Sequence, residues 1–330
     1  MKKVFIGIVL IFGILMATKQ LMHKDYSSAK QLADSGNYQA FYTGIKEDVA
    51  KGDKDAANLL MDYFLKAVQD GDIAEAKYYL DQDRSLIDKT DKDGARAIDA
   101  ALFGDVIQIE TMKFLLEYQP ELNYEISYFK NMSLLQMIAS NSHLSKGDEL
   151  AKYLIEHGAN VNFYNVKGES SNSPLLLSYS SDNFETFKVL IQNGANIKDD
   201  KFTDDKHDLL GLIAGSYVLE LNKNFPNIKA IYSTPLSSEV ISIVQSQTYR
   251  TIHSRNMAYL ALIFQTKKIT DMDLRGLSKL AQYYAATNEI DGMKLLVNYG
   301  LCNNQKICTD AIQKAMLNNN RAILSILKGN

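Results

Sequence analysis

A helical pattern of apolar residues recurs along the chain and ends each time at the same short motif. The segment 153–162, YLIEHGANVN, returns at 189–198 as VLIQNGANIK, and weaker copies occupy 78–86, 114–123 and 295–301. Apolar residues at this spacing predict an amphipathic helix, and a glycine that adopts a positive φ ends such a helix. Each copy is therefore predicted to be a helix followed by an outward turn.

A second pattern lies upstream of these helices. It is an apolar helix start, found at 96–101, 133–139, 173–177 and 208–214, and the first copy follows the turn Asp91–Gly94. Ser133, Ser173 and Asp208 open their copies, and these residue types cap helix N-termini. A two-helix unit that recurs along the chain predicts an all-α repeat protein.

The two patterns together resemble ankyrin repeats. In that family a D-x-x-G turn precedes a T-P-L-H-x-A helix start, and the second helix ends in G-A-(N/D)-V-N. Ser173–Leu175 matches the start, and 158–160 and 194–196 match the end. The family histidine is absent, which puts its hydrogen bonds in question; its position holds Asp99, Gln136, Leu176 and Gly211. The resemblance implies an all-α ankyrin-type solenoid that binds another protein.

Five segments follow from how well each part of the chain fits the repeat. Residues 71–214 are predicted to be ankyrin repeats, 271–330 further ankyrin-like repeats with a closing cap, and 215–270 an irregular helical insert. Residues 25–70 form either a helical cap for the first repeat or a hairpin related to the Sel1 or tetratricopeptide type. Residues 1–24 are the signal or anchor segment.

The first two dozen residues predict export from a bacterial cytoplasm. Lys2 and Lys3 precede an apolar run from Val4 to Ala17, which is shorter than the roughly 20 residues of a membrane span. No small-x-small cleavage site follows, so an uncleaved anchor through residues 4–22 in the inner membrane is favoured, with the rest periplasmic. A cleaved signal peptide and a buried helix of a cytosolic protein are the alternatives.

Composition and charge restrict the classes of molecule that the chain is expected to bind. The 330 residues are 46% hydrophobic with four prolines, as in a helical globular protein, and the net charge of -3 argues against nucleic acid as a partner. Cys302 and Cys308 are the two cysteines, with five residues between them. In an oxidising compartment they can close a small disulfide loop, and two free thiols are the alternative.

The sequence carries no recognisable catalytic or cofactor motif. It lacks the serine elbow, the H-E-x-x-H zinc motif and both glycine-rich phosphate loops, and its five histidines are scattered. His157 is best explained as a helix-end donor. The aspartate-rich segment 199–208 is interpreted as a solvated loop, with a calcium site as the alternative. A non-enzymatic protein with no cofactor and no metal is expected.

Aromatic residues in the inter-repeat loops are the candidate binding residues, because exposed tyrosines and phenylalanines anchor protein interfaces. The candidates are Tyr124, Tyr128, Phe129, Phe163, Tyr164, Lys167 and Phe202. A core position against helix ends is the favoured interpretation of Phe129 and Phe163, and it is an open alternative for Tyr128 and Tyr164. Two roles fit: an immunity protein that neutralises a toxic secreted enzyme such as a type VI lipase effector, or an envelope scaffold that supports an endogenous periplasmic enzyme.

Overall fold

A computed structural model describes residues 24–103, 108–163, 172–197, 213, 246–266 and 274–329 of the chain. Contacts divide the chain into two compact units, Met1–Pro120 and Glu121–Asn330. The regular secondary structure of the described residues is helical, apart from one isolated antiparallel bridge between Ile126 and Met132. The all-α class predicted from the sequence is confirmed.

The first unit is a series of short helices separated by tight turns. These are α1 (Ser27–Asp34), α2 (Tyr38–Ala50), α3 (Lys54–Asp70), α4 (Ile73–Gln82), α5 (Ala97–Phe103) and α6 (Ile109–Leu116), with a 3-10 turn at Arg84–Ile87. Gly36, Gly52 and Gly71 end α1, α2 and α3 with positive φ. The next residue is in each case an asparagine or aspartate whose side chain caps the following helix.

The core of the first unit surrounds α3, against which α2, α4 and α5 pack. Phe41 on α2 and Phe64 on α3 are fully buried, and each such side chain contributes about 2 kcal/mol through the hydrophobic effect. Tyr79 on α4 is also buried, and its hydroxyl donates to Glu75 Oε1 at 2.8 Å. Burial, reinforced by this carboxylate, raises the pKa of Tyr79, so its hydroxyl remains a donor.

The second unit contains pairs of helices joined by short turns. The helices among its described residues are α7 (Leu134–Ser140), α8 (Gly147–Glu156), α9 (Pro174–Ser180), α10 (Phe184–Gln192), α11 (Gln247–Thr266), α12 (Leu274–Thr287), α13 (Ile290–Asn298), α14 (Gln305–Leu317) and α15 (Arg321–Lys328). Ser133 and Ser173 cap α7 and α9 through their side chains, as predicted. Asp208, predicted to have the same role, lies outside the described residues.

Neighbouring pairs stack in a repeating way. The first helices pack on first helices (α7 on α9, α12 on α14), and the second helices on second helices (α8 on α10, α13 on α15). Gly158 and Gly194, which end α8 and α10, have φ of 104° and 86°, which confirms the predicted left-handed helix ends. The same two-helix unit is therefore present before and after α11.

Asparagine side chains link successive pairs. Asn183 opens α10, and its Nδ2 donates to Ile138 O at the end of α7 over 3.1 Å. Asn320 opens α15, and its Nδ2 donates to Ala285 O of α12 over 2.6 Å. Both residues follow a left-handed residue at the turn of their pair. Each link supplies a donor to a carbonyl near a helix end, where the last carbonyls lack α-helical partners.

Helix α11 is a single long helix in the segment where the sequence shows no repeat signature. It packs on α10 mainly through Tyr259, a buried residue whose ring meets Tyr179, Phe184 and Phe187 edge-on at centroid distances of 5.1, 5.1 and 4.8 Å. The Tyr259 hydroxyl donates to Asp182 Oδ1 at 3.1 Å. Edge-to-face contacts of this kind add to the energy of burial. Helix α11 is thereby fixed to the preceding pair.

No helix among the described residues is long and apolar enough to cross a membrane. The segment 4–22, predicted to be an anchor, lies outside those residues, as does most of the predicted insert 215–270.

Candidate protein-binding hairpin

The loop that precedes α7 is a closed hairpin, here called the 124–132 hairpin. Ile126 N donates to Met132 O at 2.9 Å, and Met132 N donates to Phe129 O at 3.0 Å. The amides of Phe129 and Asn131 both donate to Ile126 O, at 3.0 and 3.1 Å. Four backbone hydrogen bonds in so short a loop hold it in one conformation.

Two consecutive residues of the hairpin have left-handed backbone conformations. Lys130 has φ of 53° and Asn131 φ of 54°. Asparagine tolerates this region, whereas a lysine there costs of the order of 1 kcal/mol. Such strain persists where the surrounding hydrogen bonds fix the backbone, as those of Ile126 do here.

The hairpin presents two of the predicted aromatic residues to solvent. Tyr128 is 43% exposed and Phe129 39% exposed, whereas Tyr124 is half-buried. The structure therefore places Phe129 at the surface and not in the core. Large apolar side chains are exposed at few other described positions, among them the adjacent pair Met316 and Leu317 at the end of α14.

The base of the hairpin is held by Ser133 and Gln136. The hydroxyl of Ser133 accepts from Gln136 N at 3.1 Å, and Gln136 Oε1 accepts from Ser133 N at 2.8 Å, which forms a reciprocal capping box. The same glutamine donates from Nε2 to Asn172 O at 2.7 Å, across to the loop before α9. Gln136, which stands in the place of the family histidine, thus both caps its own helix and binds the next repeat.

Sequence reasoning identified the position of Gln136 but not this role. A buried glutamine at the third position after a serine cap is the signal that was available, since S-x-x-Q is a form of the capping box. The link to Asn172 has no local signal, because it joins residues that are distant in the sequence.

A line of asparagines connects the ends of the second helices. Asn123 Nδ2 donates to Gly158 O at 3.1 Å, and Asn123 Oδ1 accepts from Asn160 N at 2.7 Å. One repeat later, Asn162 Oδ1 accepts from Asn196 N at 2.8 Å. These asparagines end the G-A-N-V-N motif or its weaker copy, and they fix the loop that carries the 124–132 hairpin to the next repeat.

The other candidate residues fall partly outside the description. Phe163 is half-buried, and its carbonyl accepts from the Ser133 hydroxyl at 3.2 Å. Tyr164, Lys167 and Phe202 lie outside the described residues. The structure therefore brings Tyr124, Tyr128 and Phe129 together in one loop. Of the remaining candidates, it describes only Phe163, which lies in a different loop.

Two of the histidines contact neighbouring backbone or carboxylate groups. Groups of three or more histidine, cysteine or acidic side chains arranged to hold a metal are absent from the described residues. His157 Nδ1 lies 2.8 Å from Tyr153 O, which is the predicted helix-end contact. His253 on α11 is largely buried and pairs with Glu289 at 3.3 Å, far from the hairpin in sequence.

A disulfide joins Cys302 to Cys308 in the structure, with the two Cα atoms 4.8 Å apart. Cys302 belongs to the 3-10 turn after α13, and Cys308 to the first turns of α14. The bond therefore fastens the link between the last two helix pairs.

Comparisons with known proteins agree with this geometry. The family model for ankyrin repeats in three copies matches residues 100–201, which include α7 to α10. A curated ankyrin repeat protein of Acanthamoeba polyphaga mimivirus is 24% identical over 240 residues, which cover 70% of this chain and 68% of the relative. The stacked helix pairs and the glycine-ended second helices fit the family match, so the chain carries ankyrin repeats over residues 100–201.

Proposed function

We propose that the chain acts by binding another protein through the 124–132 hairpin. Ankyrin repeats are protein-binding modules, and their inter-repeat loops run over the surface. The observation that carries the proposal is the exposure of Tyr128 and Phe129, 43% and 39%, on a loop closed by four backbone hydrogen bonds. Aromatic side chains supply much of the binding energy at protein interfaces, and a preordered loop loses little entropy on binding.

The chemistry of the hairpin suits an apolar pocket on the partner. Phe129 offers a ring alone, which the partner would enclose in the pocket. Tyr128 offers a ring and a hydroxyl, and the partner would form a hydrogen bond with that hydroxyl. Charge contributes little, since Glu125 and Lys130 are the only ionisable side chains of residues 125–131 apart from the Tyr128 phenol. Binding driven by these rings is expected to persist at high salt.

The test is to replace both aromatic residues and measure binding to the partner isolated with the unaltered chain. Tyr128→Ala with Phe129→Ala should weaken binding by at least about 2 kcal/mol, or about thirtyfold, as for hot-spot residues. The circular dichroism and the unfolding midpoint should change little, because the side chains are exposed and the backbone hydrogen bonds of the loop remain.

A matched control is available on the same chain. Met316→Ala with Leu317→Ala removes two adjacent apolar residues that are 58% and 53% exposed, so it tests whether any exposed apolar pair would have the same effect. Binding should be unchanged in this control. Equal loss in both variants, or no loss in the hairpin variant, would refute the hairpin as the binding site.

The second part of the proposal concerns the compartment. We propose that the chain is a bacterial protein that is exported to the periplasm and held at the inner membrane by residues 4–22. Support comes from the start Met1–Lys3, the apolar run that follows, and the Cys302–Cys308 disulfide, since disulfides persist in oxidising compartments. A reporter that is active only in the periplasm, fused after Asn330, should give signal. Activity from a cytoplasm-only reporter at the same point would contradict export.

For the partner we propose a toxic enzyme that the chain neutralises as an immunity protein. Ankyrin repeats on the outer face of the inner membrane would be placed to meet a toxin delivered into the periplasm. Co-expression of the chain should protect cells from a secreted toxic enzyme that is captured with it, and the hairpin variant should lose protection. Capture of an endogenous enzyme whose activity the chain supports would instead favour the scaffold role.

A further inference from the structure

Glu289 occupies a position that asparagine holds in two other helix pairs of the second unit. Asn183, Glu289 and Asn320 each follow a left-handed turn residue and open the second helix of a pair. The asparagines donate to carbonyls of the preceding pair. A carboxylate has no hydrogen to donate, so Glu289 must form its link to the preceding element in the opposite sense, as an acceptor.

The preceding element is α11, and the link is made by His253. His253 Nε2 lies 3.3 Å from Glu289 Oε2, and the two side chains are only 14% and 18% exposed. The imidazole also lies edge-on to the buried ring of Tyr284 on α12, at 5.9 Å between centroids. Next to it, the Tyr284 hydroxyl donates to Met257 Sδ of α11 at 3.2 Å. Around the His253–Glu289 pair, α11 is therefore attached to α12 and to the turn that opens α13.

The charges around His253 act in opposite directions. Burial lowers the pKa of His253 below 6.5, and this effect exceeds the attraction of Glu289 and of Asp291 in the first turn of α13, which both raise it. On the side of α10, Asp182 pairs with Arg255, two residues further along α11. The imidazole is therefore neutral in the folded chain near neutral pH, and its Nε2 hydrogen, assigned from the acceptor that it faces, is donated to Glu289.

We propose that the His253–Glu289 pair is a proton-operated joint, through which acidification loosens the attachment of α11 to the C-terminal helix pairs. Because the folded chain binds this proton less readily than the unfolded chain, the joint contributes its full stability above about pH 6.5. That contribution falls as the pH drops further and the buried imidazole becomes charged. Since α11 is also packed on α10 through Tyr259, the joint couples the pairs before α11 to those after it.

The experiment compares the full chain with His253→Gln between about pH 7.5 and about pH 5.5, a window in which histidine titrates. Glutamine can still donate to Glu289 but does not take up a proton. On acidification, the unfolding midpoint should fall further in the unaltered chain than in His253→Gln. The amides of α11 should exchange faster with solvent at the lower pH only when His253 is present. His143→Gln, at an exposed position, is the matched control and should behave as the unaltered chain.

A second measurement tests the proposal even if His253→Gln does not fold. The imidazole of His253 is followed by NMR during a pH titration of the unaltered chain, and its midpoint should lie below 6.5. Glu289→Gln should lower that midpoint further, because it removes the charge that favours the imidazolium. Two results would overturn the joint. One is an equal fall of the unfolding midpoint in the unaltered chain and in His253→Gln, and the other is an NMR titration midpoint at or above 6.5.

Discussion

Gln136 offers the sharpest test of how the hairpin is supported. The change Gln136→Met keeps the length of the side chain and removes both of its hydrogen-bonding groups. Ser133 N, which is buried, then loses its acceptor, and this costs about 1–2 kcal/mol. Asn172 O loses its donor but belongs to an exposed residue, so water replaces much of the bond and the cost is about 0.5–1 kcal/mol. The expected total is about 1.5–3 kcal/mol.

The assay is urea unfolding of the full chain, followed by circular dichroism and by hydrogen exchange of the α7 amides. The loss should fall in the transition of the second unit, because Gln136, Ser133 and Asn172 all belong to it. Gln136→His, which introduces the residue that ankyrin repeats carry at this place, keeps one donor and one acceptor and should cost less than Gln136→Met. Gln192→Met, at an exposed position of α10, is the matched control and should stay within about 0.5 kcal/mol.

A Gln136→Met variant as stable as the unaltered chain would refute the reasoning, since it would show that the capping box and the bond to Asn172 contribute nothing net. Equal losses in Gln136→Met and Gln192→Met would show that the effect does not come from burial of the amide.

Two further changes test the repeat geometry. Gly158→Ala should lower the free energy of unfolding by about 1 kcal/mol. The cause is backbone strain at φ of 104° and not a clash, because nothing lies within 4 Å of the added Cβ. Gly158→Asn should cost less, and an unchanged midpoint for the alanine variant would contradict the left-handed helix end. Asn320→Leu should cost about 1–2 kcal/mol by leaving the carbonyls of Ala285 and Ala286 without their donor, seen as faster hydrogen exchange in α12 and α15, and unchanged exchange there would show that this link is not needed.

The sequence by itself determined the repeating unit, because that information is local. The spacing of apolar residues gives a helix with one buried face, Ser133 and Ser173 begin helices because their hydroxyls satisfy backbone amides, and Gly158 and Gly194 end them because a positive φ favours glycine. Aromatic residues in the loop before α7 could also be recognised as candidates without a structure. Local signals of this kind act over three or four residues.

The tertiary structure alone decided how the units are joined and which candidates face solvent. The sequence favoured a core position for Phe129, and only the closed backbone of the 124–132 hairpin, with Lys130 and Asn131 in the left-handed region, turns its ring outward. Likewise, the partners of Gln136, Asn183 and Glu289 in the preceding or following helical element lie about 36 or more residues away, so no local pattern predicts those links. Such contacts depend on how neighbouring helix pairs stack, and stacking is set by burial summed over whole helix faces rather than by any short motif.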